Sequence, residues 1–408
     1  MNHTHVWTKA YDRLCEFYGE YPDVLILNRF YKEKMLMQEN DYILYLDLCS
    51  NIQSKANEFG EHIWVRGTVG TSFVAYLLGS TDINPLPLHE YCPSCKRVRF
   101  TRKKESPFDH GYSTCFCGTN LKTDGFNLPF EANLRSVLSK TIQICVSRSF
   151  FKTACKIIRS YFADRSLIVS EDEAEIAPVH FYLASEECDT LGEKKLPHIT
   201  LVPDINLDNL RKLELKTGIK SSEITDFSKV LPFFLYEGDI SDIPHINSEL
   251  MQNLIKETNP SGYNDLLKLI GFCHGTKIWK ENAEIFFYEH KWSLSQIPAF
   301  REDLYDIICK KLYERGIYET GFAYEVALKT RQGYYAKNEM EDATSETLRE
   351  LGFDINFYLF VSDIEYMFPK SHAIAYLKQA RALAWYKIHY PEEYRNTSGV
   401  REESKDGE

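Results

Sequence analysis

Four cysteines fall into two short knuckles: Cys92-Pro93-Ser94-Cys95 and, after 19 intervening residues, Cys115-Phe116-Cys117-Gly118. Four thiolates supplied this way can enclose one tetrahedral Zn2+. A site closed by four thiolates is structural, because it leaves no coordination position for water or substrate. The first knuckle has the common C-x2-C spacing and the second is the tighter C-x-C, so His110 stands as an alternative ligand. Between the knuckles Lys96, Arg97, Arg99, Arg102, Lys103 and Lys104 crowd into one basic stretch. It reads either as a solvated loop around the metal or as a contact for phosphate.

A second chemical segment is Trp64-Val65-Arg66-Gly67-Thr68-Val69-Gly70-Thr71-Ser72. Backbone N–H groups and the hydroxyls of Thr68, Thr71 and Ser72 can cradle a triphosphate around Gly67, and Arg66 can pair with it bidentately. No Gly-Lys-Ser/Thr follows, so this is not a Walker A loop. The alternative is a turn ahead of a buried helix.

The elements that must carry these segments are mixed. Residues 6–60 read mainly as helix, broken by Gly60. The Gly/Thr loop and an apolar run, Ser72 to Leu78, complete an N-terminal region over 1–90. Residues 91–125 form an insert organised by metal. In 126–206, Ile142 to Val146 and Leu167 to Val169 read as strands and Phe150 to Phe162 as a helix. Residues 207–395 are predominantly helical, and 396–408 form a polar, disordered tail. The expected class is α+β.

A chain of 408 residues implies several domains or one multi-lobed unit. Hydrophobic content of 44% and charged content of 26% are ordinary for a globular protein. The formal net charge of −11 is unlike a surface built to grip a nucleic-acid backbone, which is normally basic. The N-terminus lacks signal-peptide features and no apolar run is long enough for a bilayer, so no membrane role is expected. Clustered cysteines then point to metal in a reducing cytoplasm, not to disulfides.

Taken together, the motifs resemble a family. Val65-Arg66-Gly67-Thr68-Val69-Gly70-Thr71-Ser72-Phe73-Val74-Ala75, then Asp82-Ile83-Asn84-Pro85-Leu86-Pro87 and the first cysteine knuckle, resemble the palm and zinc-bearing region of PolC-type DNA polymerase III alpha subunits. The likeness continues through Cys117-Gly118-Thr119, Lys122-Thr123-Asp124-Gly125 and Leu128-Pro129-Phe130-Glu131. Cys273-His274-Gly275-Thr276-Lys277-Ile278-Trp279 and Tyr366-Met367-Phe368-Pro369-Lys370-Ser371-His372-Ala373-Ile374-Ala375-Tyr376 resemble that family's fingers motifs. The resemblance implies a reduced C-family palm, a zinc-bearing insert and a large, mostly helical fingers-like domain. It also implies His274, Lys277, Lys370 and His372 as contacts for nucleotide phosphate or DNA; helix packing and capping is the alternative role.

The departures are informative. The family carries two catalytic aspartates in an Asp-Ile-Asp-Leu-Asn pattern after Pro-Phe-Glu, and here that segment reads as deleted, with Ala132-Asn133-Leu134-Arg135 running almost directly into Gln143-Ile144-Cys145-Val146. Thr200 falls near the third acidic position. A Gly-Gln-His-Pro-Gly-Gly element before Leu167 is missing, Trp64-Val65 replaces Gly-Ser, and the family's third zinc cysteine aligns at Thr114, one residue before Cys115. Two-metal phosphoryl transfer needs carboxylates on adjacent strands, so Mg2+ is not expected. Asp204, Asp208 and the run Glu171-Asp172-Glu173-Glu175 are the available substitutes, but their spacing does not put two carboxylates side by side on one strand face, and the simpler reading is solvated surface. The family's exonuclease, PHP, oligonucleotide-binding and clamp-binding parts do not fit in this length. The leading expectation is a non-catalytic polymerase homologue that binds DNA, a nucleotide or a replication protein, serving DNA replication, a mobile element or a phage. The alternatives are a DNA polymerase or nucleotidyltransferase with relocated metal ligands, and a protein-interaction module.

Overall fold

The computed structural model describes residues 4–39, 43–101, 106–111, 113–132, 142–162, 167–170, 178–183 and 198–398. The first segment folds as three helices, α1 (Thr4–Tyr18), α2 (Val24–Glu39) and α3 (Ile43–Glu58). In α1 the buried residues Val6, Trp7, Ala10, Leu14 and Tyr18 recur every three or four positions, which puts them on one face. Past Gly60 the chain enters β1 (Ile63–Gly67), a single 3-10 turn (Thr68–Thr71) and the short helix α4 (Phe73–Leu77).

Two sheets follow. The smaller one, in the order β3-β2-β4, joins β2 (His89–Tyr91), β3 (Val98–Phe100) and β4 (Lys122–Asp124), and carries the cysteine knuckles. The larger one takes β5 (Ile142–Val146), then after α5 (Arg148–Tyr161) the strands β6 (Leu167–Ser170), β7 (Val179–Leu183) and β8 (His198–Pro203). Its order is β1-β5-β8-β7-β6, with β5 antiparallel to β1 and parallel to β8. A parallel neighbour needs a long crossover, and α5 with the β6–β7 hairpin supplies it.

The rest is helical: α6 (Ile205–Thr217), α7 (Val230–Pro232), α8 (Glu249–Thr258), α9 (Tyr263–His274), α10 (Glu284–Tyr288), α11 (Arg301–Glu314), α12 (Gly321–Arg331), α13 (Tyr334–Lys337), α14 (Asp342–Glu350), α15 (Ile355–Asp363), α16 (Lys370–His389) and α17 (Pro391–Ser398). One apolar core lies between α1–α5 and the large sheet, around Phe30, Phe73, Phe130, Phe162 and Phe181. A second fills the helical lobe around Phe272, Phe300 and Tyr386. The 20-residue α16 joins them: it packs on β1 and on α6, α9 and α17.

The expected strand Ile142–Val146 forms as β5, which stands second in the large sheet, hydrogen-bonded on both sides, and carries Gln143 and Cys145 and no carboxylate. One expectation changes. The tail expected from Asn396 begins as helix, because α17 continues through Ser398 and Lys216 Nζ reaches Asn396 O at 3.3 Å and Thr397 Oγ1 at 2.8 Å. Arg102, Lys103, Lys104, the run Glu171–Glu175 and residues 399–408 lie outside the described residues.

Candidate functional site

The small sheet brings the knuckles together. Tyr91 of β2 registers with both Val98 of β3 and Lys122 of β4, so Cys92 emerges between the two neighbouring strands. Cys92 N donates to Arg97 O at 2.9 Å and Lys96 N to Cys92 O at 3.0 Å, with Lys96 at φ +62° closing the turn. In the second knuckle Cys115 N donates to Thr119 O at 2.8 Å and Gly118 N to Cys115 O at 2.9 Å. The Sγ atoms of Cys92, Cys95, Cys115 and Cys117 consequently all lie within 4.8 Å of one another, a set able to hold a metal ion. The Thr119 hydroxyl and backbone N–H beside Cys117 hold its thiol down at about 6, which favours the ligating thiolate. Cys115, not His110, completes the set: His110 Nε2 instead faces Glu90 Oε1 at 3.8 Å.

The insert is bolted to the helical lobe. The turn Pro107–Asp109 places Asp109 at the N-terminus of α9, where Oδ1 accepts from Tyr263 N at 2.7 Å and Oδ2 from Asn264 N at 3.0 Å. A Cβ at Gly262 would come within 2.7 Å of Asp109 Oδ1, so this close approach requires glycine. The Phe108 ring packs against Phe126 and Tyr263 and lies 3.9 Å beneath the Arg381 guanidinium of α16. Arg381 also covers Phe227 at 4.2 Å and Tyr263 at 4.6 Å. A second tie joins the lobes where Lys378 Nζ donates to Asp82 O at 2.7 Å. Between insert and helical lobe opens a cleft of about 1580 Å3 whose walls include Tyr91, His110, Asp124, Asp226, Asp265 and Lys378. Asp109→Ala removes a cap shared by two N–H groups, and a lost helix cap costs about 1–2 kcal/mol. Denaturant unfolding and amide exchange at Tyr263 and Asn264 measure it; unchanged exchange there contradicts the latch.

In the glycine loop, Ser72 and Thr71 are buried. Ser72 Oγ accepts from Ala75 N at 3.0 Å as the N-cap of α4 and donates to Glu33 Oε2 at 2.9 Å. The fully buried Glu33 also accepts from Phe73 N at 3.0 Å and Val74 N at 3.1 Å, and pairs with Arg29. Arg29 Nη2 donates to Thr71 O at 2.7 Å and Leu128 O at 2.9 Å. An internal carboxylate thus takes the helix terminus that would otherwise suit an anion. Gly67 ends β1, opposite Ile142, and Thr68 opens the turn. The loop's Gly70 sits so close to α16 that a Cβ there would lie 2.8 Å from Ser371 Cβ.

Arg66 leaves β1 toward α16. Its Nη1 donates to Tyr376 OH at 3.0 Å, its Nη2 to Asp204 Oδ2 at 3.3 Å, and its guanidinium covers the Tyr376 ring at 4.7 Å. His245 stacks on Tyr376 at 3.7 Å and 7°, and its Nε2 meets Gln379 Oε1 at 2.5 Å. His274 meets Tyr376 edge-on at 5.2 Å and stacks on Phe368, which also borders His372. The structure therefore gathers Arg66, His274 and His372 around Tyr376 and Phe368. Lys277 stands apart in an exposed pair with Glu365 at 2.9 Å, and Lys370 is turned inward, its Nζ 3.4 Å from Asp303 Oδ1. Burial, with Arg66 nearby, pushes His245 and His372 down to about 3 and lowers His274. A folded value below the unfolded 6.5 means the unfolded chain binds more protons, so stability is full above pH 6.5 and is lost as pH falls toward 3. Urea titrations from pH 7 to 4 will show this fall, and His372→Phe should flatten it.

Across the large sheet Arg66 registers with Gln143, and Gln143 with Thr200. Paired residues share a face, and neither β1, β5 nor β8 contains Asp or Glu. Just beyond β8, Asp204 caps α6 by accepting from Asn206 N at 2.9 Å, while Asp208 accepts from Arg148 N at 3.1 Å. Among the described residues, the four cysteines are the single group of three or more ligand side chains that closes on a common centre.

Residues 206–319 match the family model of the bacterial DNA polymerase III alpha subunit finger domain. Most of the chain aligns with proteins called DNA polymerase III PolC-type. That of Caldanaerobacter subterraneus subsp. tengcongensis is 24% identical over 95% of this chain. Those of Clostridium perfringens and Thermotoga maritima are each 25% identical, over 95% and 93% of this chain. The chain is similar to PolC-type DNA polymerase III proteins. It spans about a third of the length of these relatives: 33%, 32% and 33% respectively.

The PolC relationship sorts the elements. The finger-domain match begins in α6 and runs through α11, so Asp109 latches onto α9 inside the matched region. Asp109, His245, Arg381 and Glu33 escaped the sequence reading, since each acts through a partner more than 100 residues away or, for Glu33, through a turn about 40 residues on. Ser106-Pro107 alone hinted at the turn that aims Asp109. No described helix is long and apolar enough to cross a membrane.

Proposed function

We propose that this PolC relative binds DNA or a replication protein without polymerising DNA, and holds a structural Zn2+ in its cysteine knuckles. One observation carries the reading: the three adjacent strands β1, β5 and β8 present Arg66, Gln143 and Thr200 and no carboxylate. Two-metal catalysis holds its ions about 3.5–4 Å apart with carboxylates that also neutralise developing charge. Neutral Gln and Thr do neither. Arg66, paired with Asp204 and covered by Tyr376, acts in this reading as a pin between sheet and α16. Reduced, clustered thiols fit a cytoplasmic setting.

Primer extension on a primed template with Mg2+ or Mn2+ tests it. The expected result is no added nucleotide, with a mobility shift of the template at low salt. Extension that disappears in Asp204→Asn would overturn the proposal and establish relocated ligands, since Asp204 and Asp208 lie close enough to influence one another beside Arg66. Absence of any shift at low salt would replace DNA by a protein partner, the direction in which the net charge of −11 points.

A further inference from the structure

The two most exposed large apolar side chains among the described residues are Phe116, at 99%, and Tyr21, at 94%. Both lie at the knuckle end of the small sheet. Phe116 sits between Cys115 and Cys117, so its backbone is fixed on either side by a cluster residue and by the Cys115–Thr119 and Gly118–Cys115 hydrogen bonds. Tyr21 belongs to the loop between α1 and α2, and that loop rests on the other knuckle. Lys96 Nζ donates to Glu16 O at 2.6 Å, and a Cβ on Gly19 would touch Lys96 Cβ at 3.1 Å.

Three cations belong to the insert that carries Phe116. Lys96 and the exposed Arg97 directly follow the first knuckle, and the exposed Lys122 opens β4, three residues past Thr119, where the second turn closes. Val98 and Lys122 both register with Tyr91, two strand spacings or about 10 Å apart, and Arg97 precedes Val98 at that same end of the sheet. The adjacent Glu16 is already paired with Arg13, and the loop's own carboxylates are Glu20 and Asp23, the latter accepting from Leu25 N at 2.8 Å.

The fold buries neither ring, and the knuckle hydrogen bonds hold the backbone from which Phe116 projects. Exposed rings with cations close by in the chain suit a nucleic-acid single strand: each base offers a π-face to an aromatic side chain, and each phosphate a charge to Lys or Arg. We infer that the zinc knuckle and the α1–α2 loop form a stacking strip for single-stranded DNA, with Phe116 and Tyr21 receiving bases and Lys96, Arg97 and Lys122 receiving the intervening phosphates. This deepens the binding function proposed above and rests on it. The strip reads no sequence, because stacking accepts every base.

Fluorescence anisotropy of a labelled oligo-dT strand, titrated with the full chain at 50 and 200 mM salt, is the test. Phe116→Ala is expected to weaken binding by about 5- to 150-fold, the effect of losing one stacked base, while Phe116→Tyr retains it. Arg97→Ala should reduce the slope of log affinity on log salt by about one. Metal content of each variant, measured in parallel, separates loss of the ring from loss of the knuckle. Equal affinity of wild type and Phe116→Ala, with metal retained, overturns the strip but leaves the wider binding reading standing. A wild-type chain that binds no single strand at any salt overturns the strip directly, and one that also binds no duplex removes DNA from the proposed function. A preference for duplex unchanged by Phe116→Ala would place the DNA site elsewhere.

Discussion

Cys92→Ser protein is expected to carry no metal where the parent chain carries one ion, and to be cut by protease within residues 92–125. The reason is geometric. Cys92 is fully buried at the root of the first knuckle, and its Sγ lies 3.5 Å from Cys117 Sγ, so its loss opens the thiolate set from inside. Structural zinc contributes about 10 kcal/mol or more to small finger domains, enough to decide whether a three-stranded sheet of nine residues folds. The effect should travel. Asp109 and Phe108 belong to the same insert, so amide protection at the first turn of α9 should fall with the metal, while α1–α3 and the large sheet keep theirs. Elemental analysis with exchange mass spectrometry measures both; a Cys92→Ser chain that retains metal and α9 protection would contradict the site.

Glu33→Ala is expected to destabilise the sheet lobe by about 3–5 kcal/mol, the range for removing one partner of a buried ion pair. The carboxylate accepts from Ser72 Oγ, Phe73 N and Val74 N and pairs with Arg29, all in the interior. The substitution leaves those donors without an acceptor and Arg29 without its counter-charge. Glu33→Gln should cost less, since the amide oxygen still accepts while the charge is lost. Urea unfolding followed by far-UV circular dichroism gives the differences. A Glu33→Ala chain as stable as the parent would mean that water reaches α4 and that the terminus is open to an anion after all.

These effects mark how far the chain could be read beforehand. The helices of the first sixty residues, the strand Ile142–Val146 and the helix after it follow from local periodicity, which one chain segment carries by itself. The cysteine knuckles were legible for a related reason: ligand spacing is a local pattern, and only the choice between Cys115 and His110 needed three dimensions. The glycine loop was legible as a loop but not in its partners. Ser72 and Thr71 have the residue types of a phosphate cradle, and the same types serve an N-cap and a buried carboxylate; Glu33, about 40 positions earlier, decides which. Lys370 and Lys277 illustrate the same limit. Both are lysines in family-like motifs, yet one turns to Asp303 in the interior and the other to Glu365 in water.

The ties between the lobes have a mechanical consequence. Arg66 holds Tyr376, Asp82 holds Lys378, and Asp109 holds the start of α9. A hinge needs one compliant seam, and here the seam is stitched at the sheet, at the loop after α4 and at the insert. For the nucleic-acid binding proposed above, such a frame predicts a single docking event, without a slow closing step behind it. Stopped-flow association should therefore give one exponential whose rate rises linearly with ligand concentration and does not level off at a conformational limit.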